Sequence, residues 1–134
     1  MNPQSTSDRY VIDTFAWIEY FAGSAEGAKA KQYVESGRGI TPTVVIAELS
    51  QKYHKERIPF SERLDFVLGI TRIVPLDTTT AQEAGVLSTD RKRHVKRWGL
   101  ADSIILATAR ANTAKIVTGD EHFRDLAQET VMIK

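Results

Sequence analysis

Cysteine is absent from the 134 residues. That excludes a disulfide framework and a thiolate metal site, and it fits a reducing compartment. Also missing is any apolar run near the roughly 18 residues that a membrane-spanning helix needs. The opening stretch, MNPQSTSDR, is polar and lacks the apolar core of a signal peptide. The expected setting is therefore the cytoplasm, away from membranes, with residues 1–8 read as a flexible tail. No glycine-rich phosphate loop occurs, which argues against nucleotide hydrolysis of that kind. Large net charge is missing too, at +1, but the charge is unevenly placed. Asp90 to Trp98, DRKRHVKRW, holds Arg91, Lys92, Arg93, Lys96 and Arg97, and without these five the formal charge of +1 becomes −4. A mildly acidic chain thus carries one concentrated basic patch.

What is present fits one ordinary globular domain spanning 1–134, with 42% hydrophobic and 26% charged residues. Periodicity predicts a strand at 9–13, a helix from Thr14 stopped by Gly23, and a second helix over 25–36. A short strand follows at Ile40 and Thr41. Pro42 and Thr43 mark the start of a helix reaching about Arg57, ahead of Pro59. Ser61 is a candidate cap for ERLDFVLGI, and RIVPL at 72–76 reads as a strand. Thr78 to Thr80 open a long helical stretch, with a possible interruption at Ser88 to Asp90. Residues 101–111 form a strong helix, and strands are expected at 115–118 and 131–133. Strands alternate with helices throughout, which predicts a three-layer α/β/α sandwich with a mainly parallel central sheet. In such sheets ligands collect beyond the carboxyl ends of the strands.

Four carboxylates could meet there. Asp13 ends the first strand, where a helix cap is the plain alternative. Glu48 lies inside a helix, where the alternative is a rim position paired with Lys52 at i+4, contributing only a few tenths of a kcal/mol. Asp102 stands near the start of a helix that is apolar nearly all round, so it either caps that helix or reaches a cleft. Asp120 follows the strand in IVTGDEHF, 116–123, where Glu121, His122 and Phe123 look like a helix start that Asp120 could cap. Two carboxylates ~5 Å apart repel by about 3 kcal/mol at an effective dielectric near 20. A group of four would call for hard divalent cations such as Mg²⁺ or Mn²⁺. Periodicity shows only that the four could converge.

Four segments in order, VIDTFAWIEYF with Asp13, TPTVVIAEL with Glu48, LADSIILATA with Asp102 and IVTGDEHF with Asp120, resemble the PIN-domain family, most of all its VapC-type toxins. The resemblance covers the chain from about Arg9 to its end. It implies a metal-dependent endoribonuclease in which Asp13, Glu48, Asp102 and Asp120 hold Mg²⁺ or Mn²⁺. The metal lowers the pKa of water and stabilises charge on the phosphate, and cleavage leaves a 5′-phosphate and a 3′-hydroxyl. It further implies Thr14 and Thr118 as donors that orient the acids, a small antitoxin partner and a homodimer. One departure is visible: Phe15 stands where the family often has a small polar residue.

The basic run sits just before Asp102, on the approach to the expected cleft, where it would bind RNA phosphates; the alternative is a solvated helix end. Trp98 is expected to pack against the sheet, with stacking on an unpaired base as the alternative, and Trp17 is expected in the core. His54, His94 and His122 are given packing or surface roles. Two rival functions remain. A non-catalytic PIN-like scaffold for RNA or protein would lack some of the four acids, and none is missing. An aspartate-based phosphotransferase with Asp13 as nucleophile would want a second aspartate at position 15, where Phe15 stands.

Overall fold

The structure, a computed structural model, describes residues 8–134; apart from Asp8, the tail expected at 1–8 lies outside them. Its sheet is built from β1 (Arg9–Ile12), β2 (Gly39–Pro42), β3 (Arg72–Val74), β4 (Ala114–Thr118) and β5 (Thr130–Met132). The strand order is β3-β2-β1-β4-β5, and every pairing is parallel. Six α-helices flank it: α1 (Thr14–Ala22), α2 (Ala25–Val34), α3 (Thr43–Lys55), α4 (Ser61–Ile70), α5 (Thr78–Lys92) and α6 (Leu100–Ala111). A parallel strand pair needs a crossover, and crossovers are right-handed. The connections from β1 through β2 to β3 step one way, and the β3-to-β4 connection reverses direction. The two sets of helices therefore cover opposite faces. The reversal leaves a crevice between the carboxyl ends of β1 and β4, the place where such sheets bind ligands.

Strands covered on both faces must be apolar on both sides. The central pair obeys this: Val11, Ile12, Ile116 and Val117 are all fully buried. Trp17 of α1 fills the core beside β2, as expected, and its Nε1–H donates to Thr41 Oγ1 at 3.3 Å. Gly23, at φ +67°, takes the left-handed position that ends α1. Among the described residues no helix is long and apolar enough to cross a membrane.

Element boundaries differ from the sequence reading in ways with local causes. β1 stops at Ile12, and Asp13 belongs to the turn into α1. β3 stops at Val74, because Pro75 offers no N–H to extend a ladder. α3 ends at Lys55, two residues early, and Arg57 then turns back at φ +59°. Ser61 is the first residue of α4 and does not cap it; Phe60 holds the capping position. α5 runs unbroken through Ser88 to Asp90, with Ala84, Leu87 and Ser88 buried. After Asp120 the chain makes a single 3-10 turn, Glu121–Phe123, in place of a helix.

Candidate active site

Register sets the first contact. Ile12 pairs with Val117 across the β1–β4 ladder, so the next residues, Asp13 and Thr118, come side by side. Thr118, fully buried, donates its hydroxyl to Asp13 Oδ2 at 2.7 Å. Thr118 Oγ1 also accepts from the backbone N–H of Asp120 at 3.0 Å. One hydroxyl thus links two of the four acids. Asp13 is 4% exposed and makes no side-chain capping bond to α1. Burial pushes its carboxyl up to about 7; the Thr118 hydroxyl and the Thr14 N–H work against this, and the charges of Glu48 and Asp120 reinforce it.

Glu48 is half-buried on α3. Thr14 Oγ1 donates to its Oε1 at 2.6 Å, so the two hydroxyls expected to orient acids, Thr14 and Thr118, each bond one. Burial raises the Glu48 pKa, the Thr14 hydroxyl lowers it, and Asp102 and Asp120 raise it again. Glu48 thus feels the charges of Asp102 and Asp120, and Asp13 feels that of Glu48. The rim pairing with Lys52 is not formed, because Lys52 pairs with Glu56.

Asp102 serves two ends at once. Its Oδ2 accepts from the Gly99 N–H at 2.9 Å, which caps α6, and lies 3.0 Å from Nδ1 of His122. Asp120 is similar. Its Oδ1 accepts from the His122 backbone N–H at 2.9 Å, capping the 3-10 turn, and stands 3.6 Å from His122 Nδ1. Asp102, Asp120 and His122 offer ligand atoms that all lie within 4.8 Å of one another. His122 was given a packing or surface role in the sequence reading. The structure sets it between two of the acids instead, and the only hint in the chain is its place two residues after a strand-end aspartate. His54 and His94 are exposed, as expected.

The basic run divides. Arg91 makes a two-pronged pair with Asp125 at 2.8 and 3.0 Å, donates to the His122 carbonyl at 3.1 Å, and lies 4.1 Å over the Trp98 ring. It clamps the turn that carries Asp120 and His122. Trp98 is 2% exposed, and its Nε1–H donates to Ser103 Oγ at 2.6 Å. It is a packing residue, and stacking on a base is excluded by its burial. Lys92 and Arg93 are exposed on the outside of α5 and its end. Lys96 and Arg97 alone line a cleft of about 550 Å³ together with Phe15, Asp120, His122 and Lys134.

The donor set fits a hard divalent cation. Asp13 and Glu48 are carboxylates whose charge is opposed by burial and by their neighbours, and a cation among them would relieve both. Oxygen donors with one imidazole suit Mg²⁺ or Mn²⁺ better than a thiophilic metal.

A parallel five-stranded sheet with acids gathered at its topological switch point defines an α/β protein of the PIN architecture. The PIN-domain family profile matches residues 10–129, and the chain belongs to that family. No curated protein sequence matches it significantly. Its structural neighbours include a toxin–antitoxin complex and a toxin. A toxin–antitoxin complex from Klebsiella pneumoniae superposes with a TM-score of 0.75 at 20% identity, covering 93% of this chain and 98% of that one. FitAcB from Neisseria gonorrhoeae gives 0.70 at 23% identity, covering 92% and 96%. VapC20 from Mycobacterium tuberculosis, described as a sarcin-ricin loop cleaving toxin, gives 0.64 at 17% identity, covering 87% and 94%.

Proposed function

We propose that this protein is a Mg²⁺- or Mn²⁺-dependent endoribonuclease, the toxin of a VapBC-type pair. It would act in the cytoplasm, be held in check by a small antitoxin and work as a homodimer. One observation supports the nuclease reading: Asp13 and the Asp120 backbone share the Thr118 hydroxyl, Asp102 and Asp120 flank His122, and the charges of Asp102 and Asp120 act on Glu48. The neighbours' membership of toxin–antitoxin complexes supports the partner. The description of VapC20 as a toxin that cleaves the sarcin-ricin loop supports RNA as the substrate class.

In this reading Asp13, Glu48, Asp102 and Asp120 hold the metal, with His122 beside the last two. When bound, the metal supplies a lowered pKa for water and positive charge against the phosphate. The chain's own work is orientation. Thr118 fixes Asp13 and the backbone of Asp120, Thr14 fixes Glu48, and the His122 ring braces Asp102. Such supporting bonds are worth about ten- to a hundredfold in metal affinity or activity. Lys96 and Arg97 face the incoming phosphates. The rival scaffold without catalysis is disfavoured by the complete set of four acids.

Purified protein should cut RNA in Mg²⁺ or Mn²⁺ and not in chelator, and Asp102→Asn should abolish cutting with the fold intact. Cleavage that persists in chelator or in that variant overturns the reading.

A further inference from the structure

Phe15 lies two residues after Asp13, in the first turn of α1, where a small polar residue often stands in the family. Ala16 and Trp17 supply the fully buried face of that turn, and Phe15 is partly buried, packed against the core while it also lines the cleft. Its ring is firmly seated. A Cβ on Gly119 would fall 2.2 Å from Phe15 Cε1, so the residue before Asp120 has to be glycine for the ring to fit. The ring is also reachable from the cleft, since Lys134 Nζ lies over it at 5.9 Å from the centroid. A cation over a partly exposed ring is weakly held and gives way to a better-stacking group. Lys96 and Arg97, both exposed, line the same cleft. The cleft volume of about 550 Å³ is within the range of small-ligand sites.

Building on the ribonuclease reading above, we propose that Phe15 is a specificity-determining residue, a platform on which an unpaired RNA base stacks beside the acids while Lys96 and Arg97 hold adjoining phosphates. Every base has a π-face, so the platform selects unpaired over paired RNA more than one base over another. Two cations without base contacts add affinity that falls with salt and is indifferent to sequence.

The test uses the full chain in an Asp102→Asn background, so that bound RNA is not cut. The probe is a short single-stranded RNA carrying 2-aminopurine, compared with its duplex. Phe15→Leu should weaken single-strand binding about tenfold, within the range for loss of one stacked base, and abolish the fluorescence quench. Duplex binding should not change, the melting temperature should fall only slightly because Leu keeps an apolar side chain against the core, and Phe15→Trp should restore both affinity and quench. Unchanged single-strand affinity in Phe15→Leu, or an equal loss for duplex, overturns the platform. The two readings fail separately. A quench that depends on Phe15 in a protein that never cuts RNA removes the nuclease and keeps the platform. Metal-dependent cutting with full single-strand affinity in Phe15→Leu does the reverse.

Discussion

The four acids fall into two unlike pairs. Asp13, buried, and Glu48, half-buried, are held by threonine hydroxyls and pushed toward the protonated form. Asp102 and Asp120 are partly exposed, and each also caps a local turn through a backbone N–H. The first pair does nothing for the fold as bare anions; its charges cost stability unless a cation is present. The second pair stabilises the chain whether or not a metal binds. Capping is therefore carried by only two members of the cluster.

The largest effect that separates the pairs is on activity and stability together. Asp13→Asn should reduce metal-dependent RNA cleavage by at least ~100-fold and leave the metal-free melting temperature equal or higher, since a buried charge is gone. Asp102→Ala should lose activity to a similar extent but also cost about 1 kcal/mol of stability through its cap. Matched melting curves for the two variants would erase the distinction between the pairs.

Next in size is pH. The folded-state pKa of Asp13 is about 7, raised from 3.8, so between those values the folded chain binds more protons than the unfolded one. Stability contributed by this group is then greatest at low pH and declines as pH rises from about 4 to about 7. Metal-free protein should therefore become easier to unfold with urea across that window. The slope should shrink in Asp13→Asn, leaving the smaller part due to Glu48, and Mn²⁺ should offset it by raising the melting temperature at neutral pH. A melting temperature indifferent to millimolar Mn²⁺ counts against a cation among these acids.

A smaller effect is expected at Thr118. Thr118→Val keeps the shape and removes a hydroxyl that serves both Asp13 and the Asp120 backbone. It should cost roughly 1–3 kcal/mol through the polar groups left unpaired and weaken Mn²⁺ binding in calorimetry. Smallest is the split within the basic run. Lys96→Ala with Arg97→Ala should reduce the salt slope of RNA binding by about one unit for each cation lost, whereas Lys92→Ala with Arg93→Ala should leave it unchanged. Equal slopes for the two double variants would return the whole run to a solvated surface.

The alternation of strand and helix, the parallel sheet and the four acid-bearing segments were legible because each depends on short-range pattern. A strand that ends in aspartate looks the same whether or not its side chain caps a helix. Only the Ile12–Val117 register, which sets Thr118 against Asp13, decides that Asp13 turns inward. Glu48 was ambiguous for the same reason, and the Lys52–Glu56 pair removed its alternative. His122 and Arg91 were misjudged because their partners, Asp102 and Asp125, are 20 and 34 residues away. No periodicity reports such a contact. Trp98 was correctly expected to pack, but the arginine over its ring was not foreseeable.

By itself the sequence determined which residue types the protein can bring to a crevice, because apolar periodicity dictates the elements and the acids interrupt it at their ends. Which of those residues share the crevice, and which carboxylates are driven toward neutrality, was decided by tertiary structure alone. Burial and the repulsion between like charges act through space, and distance along the chain does not measure either.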